Sequence, residues 1–377
     1  MSEDINHDPR RFTIPAGDSG MFGSADAPPS TAKPADLPPT TGKRMAQEMT
    51  PAAIPLPSEG HLPSLDGATA WLNSPPLTSD GLRGNVVAID FWTYTCINWL
   101  RTLSYIRAWA ENYQDQGLII VGVHTPEFPF EHDIENVRRA VQDRQVTYPV
   151  AIDNAYAVWD AFTNHYWPAL YLVDAQGRIR HHQFGEGDYE EAEQIIQQLL
   201  AEAGDKRVGQ NLVTVAARGA EVAADWEHLE SGETYVGYER AERFASPGGA
   251  VLDERRVYAV PARLSRNEWA LSGEWTVQRG FAALNAANGQ IVYRFHARDL
   301  HLVMGSAVRG ATVRFRVLID GQAPGAAHGS DVDEQGFGTA DYPRLYQLIR
   351  QLAPIVDRQF EIEFLDAGVE AFAFTFG

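Results

Sequence analysis

The chain's only cysteine, Cys96, stands between an apolar run, Val86 to Trp92, and a segment whose apolar side chains recur in steps of four and three: Trp99, Leu103, Ile106, Ala110 and Tyr113. The run reads as a strand buried on both faces and the stepped segment, Ile97 to Gln116, as an amphipathic helix that Gly117 ends. Cys96 therefore falls where the unpaired N–H groups of a first helical turn point at its sulfur. Such positions lower a thiol pKa from about 8.5 into a range of roughly 3.5 to 7.5, and the thiolate is the nucleophile. Trp99 lies on the helix stripe with Leu103 and Ile106, so packing is its simplest role and shielding of the sulfur the alternative. Other clusters carry less. His181 and His182 lie in an expected strand and point to opposite faces, so they cannot easily share a metal. Asp331-Val332-Asp333-Glu334 reads as a solvated acidic turn in place of a Ca²⁺ loop, and Gly185-Glu186-Gly187-Asp188 as a turn with an Asp N-cap. Neither a metal nor a cofactor is expected.

The elements that position Cys96 follow from periodicity. After the helix come a strand at Leu118 to His124, a helix near Glu131 to Gln145, a short strand near Tyr148 to Ile152 and a helix at Tyr156 to Phe162. Strands at Ala169 to Val173 and Arg178 to Phe184 flank Asp174-Ala175-Gln176-Gly177, a hairpin turn, and a last helix fills Asp188 to about Ala203. This order indicates an α/β unit, a mixed sheet flanked by helices on both faces. Beyond Asp205 short alternating strands at Arg256 to Val260, Gln290 to Phe295, Leu300 to Met304, Thr312 to Ile319, Gln359 to Phe364 and Ala371 to Phe376 suggest an all-β sandwich of jelly-roll type. Tyr342 to Leu352 reads as a helical or looped insertion. The expected division is a disordered or extended leader over 1–57, rich in Pro, Ala, Ser, Thr and Gly, an α/β domain over 58–204 and a sandwich over 205–377.

Composition narrows the partners. A net charge of −19 opposes nucleic acid phosphates. No apolar run approaches the roughly 20 residues that span a bilayer, and the polar opening Met1-Ser2-Glu3-Asp4 lacks the pattern of an export signal. A lone cysteine excludes an intramolecular disulfide and suits a reducing compartment, so a soluble, cytoplasmic protein is expected.

Asp90-Phe91-Trp92 followed by Cys96 has the spacing of the thioredoxin active-site strand and turn, and Tyr166-Trp167-Pro168-Ala169 resembles that family's cis-proline segment. The extra strand and helix between Leu118 and Phe162 resemble the TlpA and peroxiredoxin-like branch. Phe91 to Asn98, His124-Thr125-Pro126-Glu127 and Asn164 to Pro168 are similar to the soluble C-terminal region of DipZ-type thiol:disulfide interchange proteins. In that group a thioredoxin-like domain precedes a sandwich similar to carbohydrate-binding modules.

The resemblance implies a redox site at Cys96, with Trp92, Trp99, Trp167 and Pro168 lining the substrate groove. It also implies a buried carboxylate, Asp90, that assists proton transfer in dithiol relatives. The family carries C-x-x-C, whereas this chain reads Cys96-Ile97-Asn98-Trp99, and release of a mixed disulfide from within needs a second sulfur. The expected activity is thus that of a monothiol oxidoreductase whose Cys96 attacks a disulfide or peroxide, an external thiol, small or protein-borne, resolving the adduct. A peroxidase is the second reading, because Thr93 matches the threonine of the peroxiredoxin pattern P-x-x-x-[TS]-x-x-C, although Ile89 fills its proline position. The third is a redox-inactive scaffold that binds a protein or, through aromatics such as Trp226, Tyr235, Tyr238, Trp269, Trp275 and Tyr293, a glycan. Each of those rings is expected in the core.

Overall fold

The computed structural model describes residues 56–205 and 207–377; all but the last two residues of the expected leader lie outside them. Seven strands form the first sheet: β1 (Gly60–His61), β2 (Ala70–Leu72), β3 (Val86–Trp92), β4 (Leu118–His124), β5 (Val150–Ile152), β6 (Ala169–Val173) and β7 (Arg178–Phe184). Their order is β1-β7-β6-β3-β4-β5-β2. The central β3 runs parallel to β4 and antiparallel to β6. Four helices accompany them: α1 (Ile97–Tyr113), α2 (Ile134–Asp143), α3 (Ala157–Ala161) and α4 (Tyr189–Glu202).

Every residue of β3 is buried, as its unbroken apolar character requires of a strand covered on both faces. Val86, Ala88 and Trp92 face α1, α2 and α4, whereas Val87, Ile89 and Phe91 face α3 and the loop around Leu65 and Leu82. Strand alternation therefore sends Asp90 to the α1 side, toward the helix that Cys96 opens. Among the described residues no helix is long and apolar enough to cross a membrane.

The C-terminal part is an all-β sandwich of antiparallel strands: β8 (Thr234–Tyr235), β9 (Arg255–Tyr258), β10 (Trp269–Val277), β11 (Ala282–Leu284), β12 (Gly289–Phe295), β13 (Asp299–Ser306), β14 (Val313–Ile319), β15 (Phe337–Ala340), β16 (Arg344–Arg350), β17 (Arg358–Phe364) and β18 (Val369–Phe376). The long strand β10 serves both layers, pairing with β12 through Ser272 and with β9 and β11 beyond it. The change falls at Gly273, whose φ is 92° and where a Cβ would come within 2.9 Å of Gly289 Cα, leaving no room for a side chain.

Two expectations fail here. Tyr342 to Leu352 holds no helix, because Arg344–Arg350 is strand β16, paired with β13. Asp188 occupies the N-cap position of α4 in a left-handed conformation, φ 44°, and its side chain caps nothing.

The sandwich is seated on the helical face of the first sheet. Phe372 of β18 packs on Phe128 and Phe130 with ring centroids 5.5 and 4.6 Å away. Tyr94 donates to Pro343 O at 3.2 Å. Arg101 of α1, buried, pairs with Glu186 at 2.8 Å and donates to Phe376 O at 2.8 Å. Residues of both parts thus share one core cluster.

Candidate functional site

Cys96 is the N-cap residue of α1, in extended backbone, with a turn beneath it closed by its N–H on Thr93 O at 3.2 Å. Across the gap the Trp167–Pro168 peptide is cis. This turns Trp167 O toward the sulfur, and the thiol donates to it at 3.8 Å. Asn164 braces the segment, its amide donating to Tyr166 O at 3.1 Å while its own carbonyl accepts from Tyr171. The Trp167 indole donates to Thr125 O at 3.1 Å, tying the cis-proline loop to the end of β4. The sequence-predicted reactive residue Cys96 and groove residues Trp167 and Pro168 are thus brought together.

Beneath them lies a buried aromatic floor. Trp92 and Trp99 are fully buried and stacked, centroids 4.2 Å apart and planes at 18°. They line the underside of the site and present nothing to solvent: Trp99 packs in the core as its place on the helix stripe predicts, and neither ring forms the groove wall that the resemblance implies. The Trp99 indole N–H donates to Asp90 Oδ2 at 3.0 Å. Trp99, three residues after Cys96, therefore supplies a donor to one oxygen of the Asp90 carboxyl. Asp90 Oδ1 has no hydrogen-bond partner, and burial pushes the Asp90 carboxyl up to about 7 against the pull of the Trp99 hydrogen bond.

Sequence reasoning missed the carboxylates on the other side. Glu131 is fully buried below the Cys96 loop, accepting from Thr95 Oγ1 at 2.6 Å and from the N–H groups of Glu127 and Phe128 at 2.6 and 2.8 Å. Burial raises it to about 7, with the hydroxyls of Thr93 and Thr95 acting the other way. Thr93 is fully buried, and its hydroxyl has no hydrogen-bond partner among the described residues. Glu127 reaches the C-terminal part, and Glu233 stands with it near the sulfur. No local pattern marks Glu131 or Glu233, and Glu127 stood out only as the end of the His124-Thr125-Pro126-Glu127 motif; the tertiary fold assembles the three.

The expected thiolate stabilisation is outweighed. Burial pushes the Cys96 thiol well up, and Glu233 and Glu127 add to the rise, while the backbone N–H groups of Trp99 and Asn98 oppose it. The helix N-terminus points at the sulfur as its position implies, but a half-buried cleft floor flanked by carboxylates favours the neutral thiol.

The weaker clusters are committed elsewhere. His182 Nδ1 is 2.7 Å from Glu59, Asp331 pairs with Arg344 at 2.7 Å, and Asp333 accepts from the Gln335 and Phe337 N–H groups of its own turn. Of the aromatics singled out in the sandwich, Trp269, Trp275 and Tyr293 are buried, Tyr235 and Tyr238 are half-buried, and Trp226 is exposed, against expectation.

A buried strand, a cysteine opening a helix and a cis-proline opposite it define a thioredoxin-like fold. Residues 71–182 match the AhpC/TSA family and residues 231–377 match the family described as thioredoxin like C-terminal domain. Protein DipZ of Mycobacterium bovis is 38% identical over 265 residues, 70% of this chain and 37% of DipZ, so the chain spans little more than a third of that relative's length. Thiol-disulfide oxidoreductase YkuV of Bacillus subtilis is 30% identical over 141 residues, 37% of this chain and 95% of YkuV. The solution structure of a thioredoxin-like protein in its oxidised form is 31% identical, covering 38% of this chain and 96% of its own with a TM-score of 0.36. The chain belongs to the thioredoxin-like family of thiol-disulfide oxidoreductases.

Proposed function

We propose that the protein is a monothiol member of this class, in which Cys96 exchanges with a disulfide and an external thiol resolves the adduct. The observation that carries this is the pairing of the Cys96 thiol with Trp167 O at the cis-proline, 3.8 Å away, in a chain whose second thiol position is filled by Trp99. In the first step Cys96 gives up its proton and its sulfur bonds to one sulfur of R–S–S–R. The S–S bond breaks, and the leaving thiolate takes up a proton as R–SH. In the second step an external thiol, R′–SH, attacks the Cys96–S–S–R adduct, restoring Cys96 and releasing R–S–S–R′. Thiol and disulfide exchange without a cofactor. The partner is a protein or a low-molecular-weight thiol or disulfide.

Domain boundaries at 58–204 and 205–377, and a reducing, cytoplasmic setting suggested by the single cysteine, belong to the same proposal. A peroxidase role has less support, because the Thr93 hydroxyl is fully buried and closed off from solvent. A glycan role would have to rest on Trp226, the one fully displayed ring of the six aromatics considered. The raised thiol supports one further reading, a redox-inactive scaffold that binds a protein in the cleft.

The test is incubation with hydroxyethyl disulfide between pH 7 and 10, followed by intact mass. The proposal expects an adduct at Cys96 that forms faster as pH rises, with the rate still climbing past pH 9, and that glutathione removes. Absence of adduct at pH 10 would leave the scaffold as the remaining reading.

A further inference from the structure

One wall of the Cys96 cleft comes from the C-terminal sandwich. Glu127 Oε1 lies 2.6 Å from the Tyr235 hydroxyl and accepts from Arg240 at 2.7 Å. The Arg240 guanidinium lies over the Tyr235 ring, 3.3 Å from its centroid, and the same hydroxyl is 2.9 Å from Glu233 Oε2. This group is joined to the cysteine loop by short contacts: the Glu127 N–H donates to Glu131 Oε2 at 2.6 Å, and Glu131 Oε1 accepts from Thr95, the residue before Cys96, at 2.6 Å. On the opposite side Thr125, two residues before Glu127, holds the Trp167 indole, and Trp167 O faces the sulfur.

The cluster's charge is unbalanced, two carboxylates against one guanidinium. Arg240 is engaged by Glu127, whereas the described hydrogen bond of Glu233 is to the Tyr235 hydroxyl; burial and then the charge of Glu127 raise the Glu233 carboxyl to about 7, so at pH 9 its charge is available to a molecule in the cleft. The whole chain carries −19, so the long-range field has the same sign as the local one.

We propose that the Cys96 cleft selects disulfides that carry positive charge beside the sulfur–sulfur bond, amine-bearing ones such as cystamine, with Glu233 and Glu127 as its specificity-determining residues. This rests on the thiol exchange proposed above and follows the same balance: Cys96–SH and a diammonium disulfide give the Cys96–S–S–R adduct and one aminothiol, both ammonium groups staying protonated. A unit charge about 7 Å from a carboxylate in a solvated cleft alters a rate by roughly threefold in each direction. Cations gain and anions lose by that factor, and salt shrinks both effects.

The experiment measures adduct formation on the full chain at pH 9 and low ionic strength with cystamine, neutral hydroxyethyl disulfide and anionic dithiodiglycolate. Each rate is divided by the rate of the same disulfide with a small neutral thiol. The expected order is cystamine, hydroxyethyl disulfide, dithiodiglycolate, with a cation-to-anion ratio of ~10 that collapses in 0.5 M NaCl. Glu233→Gln lowers that ratio by about threefold to tenfold. Glu111→Gln removes the same formal charge from an exposed site fifteen residues along α1, about 22 Å from its start, and leaves the ratio in place. A ratio near one, or a ratio that Glu233→Gln and Glu111→Gln lower equally, overturns the inference while the exchange itself stands. Failure of hydroxyethyl disulfide to form any adduct overturns the exchange and the selectivity with it.

Discussion

Asp90→Asn is expected to flatten the pH dependence of stability. Asp90 is fully buried, one oxygen bonded to Trp99 and the other without a partner. Its carboxyl stays protonated in the folded chain up to about 7, whereas in the unfolded chain it ionises near 3.8. Between those values the folded state holds the extra proton, so stability falls as pH rises and levels off above 7. From pH 5 to pH 7 the folded-state proton costs two pH units at 1.36 kcal/mol each, about 2.7 kcal/mol, with little added between 7 and 8. Asparagine keeps an acceptor for the Trp99 indole and carries no titrating proton. Its gain over the parent should therefore grow by about 2–3 kcal/mol from pH 5 to pH 8, whatever constant offset the substitution brings. Urea unfolding followed by tryptophan fluorescence at both pH values measures this, and comparison with the parent cancels the pH dependence of Glu131 and His124. Parallel stability curves, agreeing within about 0.5 kcal/mol, would mean that Asp90 is ionised in the fold and that the account of the Trp99 hydrogen bond is wrong.

Trp99→Cys restores the spacing of a dithiol. The emptied volume should cost about 3–5 kcal/mol in unfolding free energy, yet a hydroxyethyl adduct on Cys96 should now leave without added thiol, giving a protein lighter by two hydrogens; a persistent adduct would show that the floor cannot bring a second sulfur to the first. Arg101→Ala strands the nearly buried Glu186 carboxylate and removes the donor to Phe376 O, so thermal unfolding should show a loss of about 3–5 kcal/mol, against less than about 1 kcal/mol if the pair behaved as a surface ion pair.

The strand-turn-helix around Cys96 was legible because local pattern determines it, whereas the cis-proline opposite it was expected from the resemblance of Tyr166-Trp167-Pro168-Ala169 to the thioredoxin segment. Val86 to Trp92 is apolar throughout, α1 keeps its stripe, and Trp167-Pro168 sits before a strand. Strand β16 was misread for a physical reason. Leu345 belongs to the core shared with the helices while Tyr346, Leu348 and Ile349 enter the sandwich core, so the segment is apolar on both sides and loses the alternation that marks a half-exposed strand. Strand β10 escaped notice because Gly273 interrupts it where it changes layer. The thiol's electrostatics were illegible in principle: the helix N-terminus that favours a thiolate is local, while Glu127 and Glu233, which oppose it, lie 31 and 137 positions along the chain.

That opposition ties the chemistry of the first sheet to the second. Strand β18 sends Phe374 and Phe376 into the sandwich core and Phe372 onto Phe128 and Phe130, beside the loop that carries Glu127 and Glu131. The same strand pairs with β8 through Ala373 and Tyr235, fixing Tyr235 and its neighbour Glu233 at the rim of the cleft. One strand therefore both buries the apolar rings beside the site and sets the charge above it. Cutting the chain between the two sheets would expose Phe128 and Phe130, strip Glu127 of Tyr235 and Arg240, and free Arg101 from Phe376 O. A thiol measured on such a fragment would report a different electrostatic environment, so the reactivity of Cys96 is a property of both sheets together.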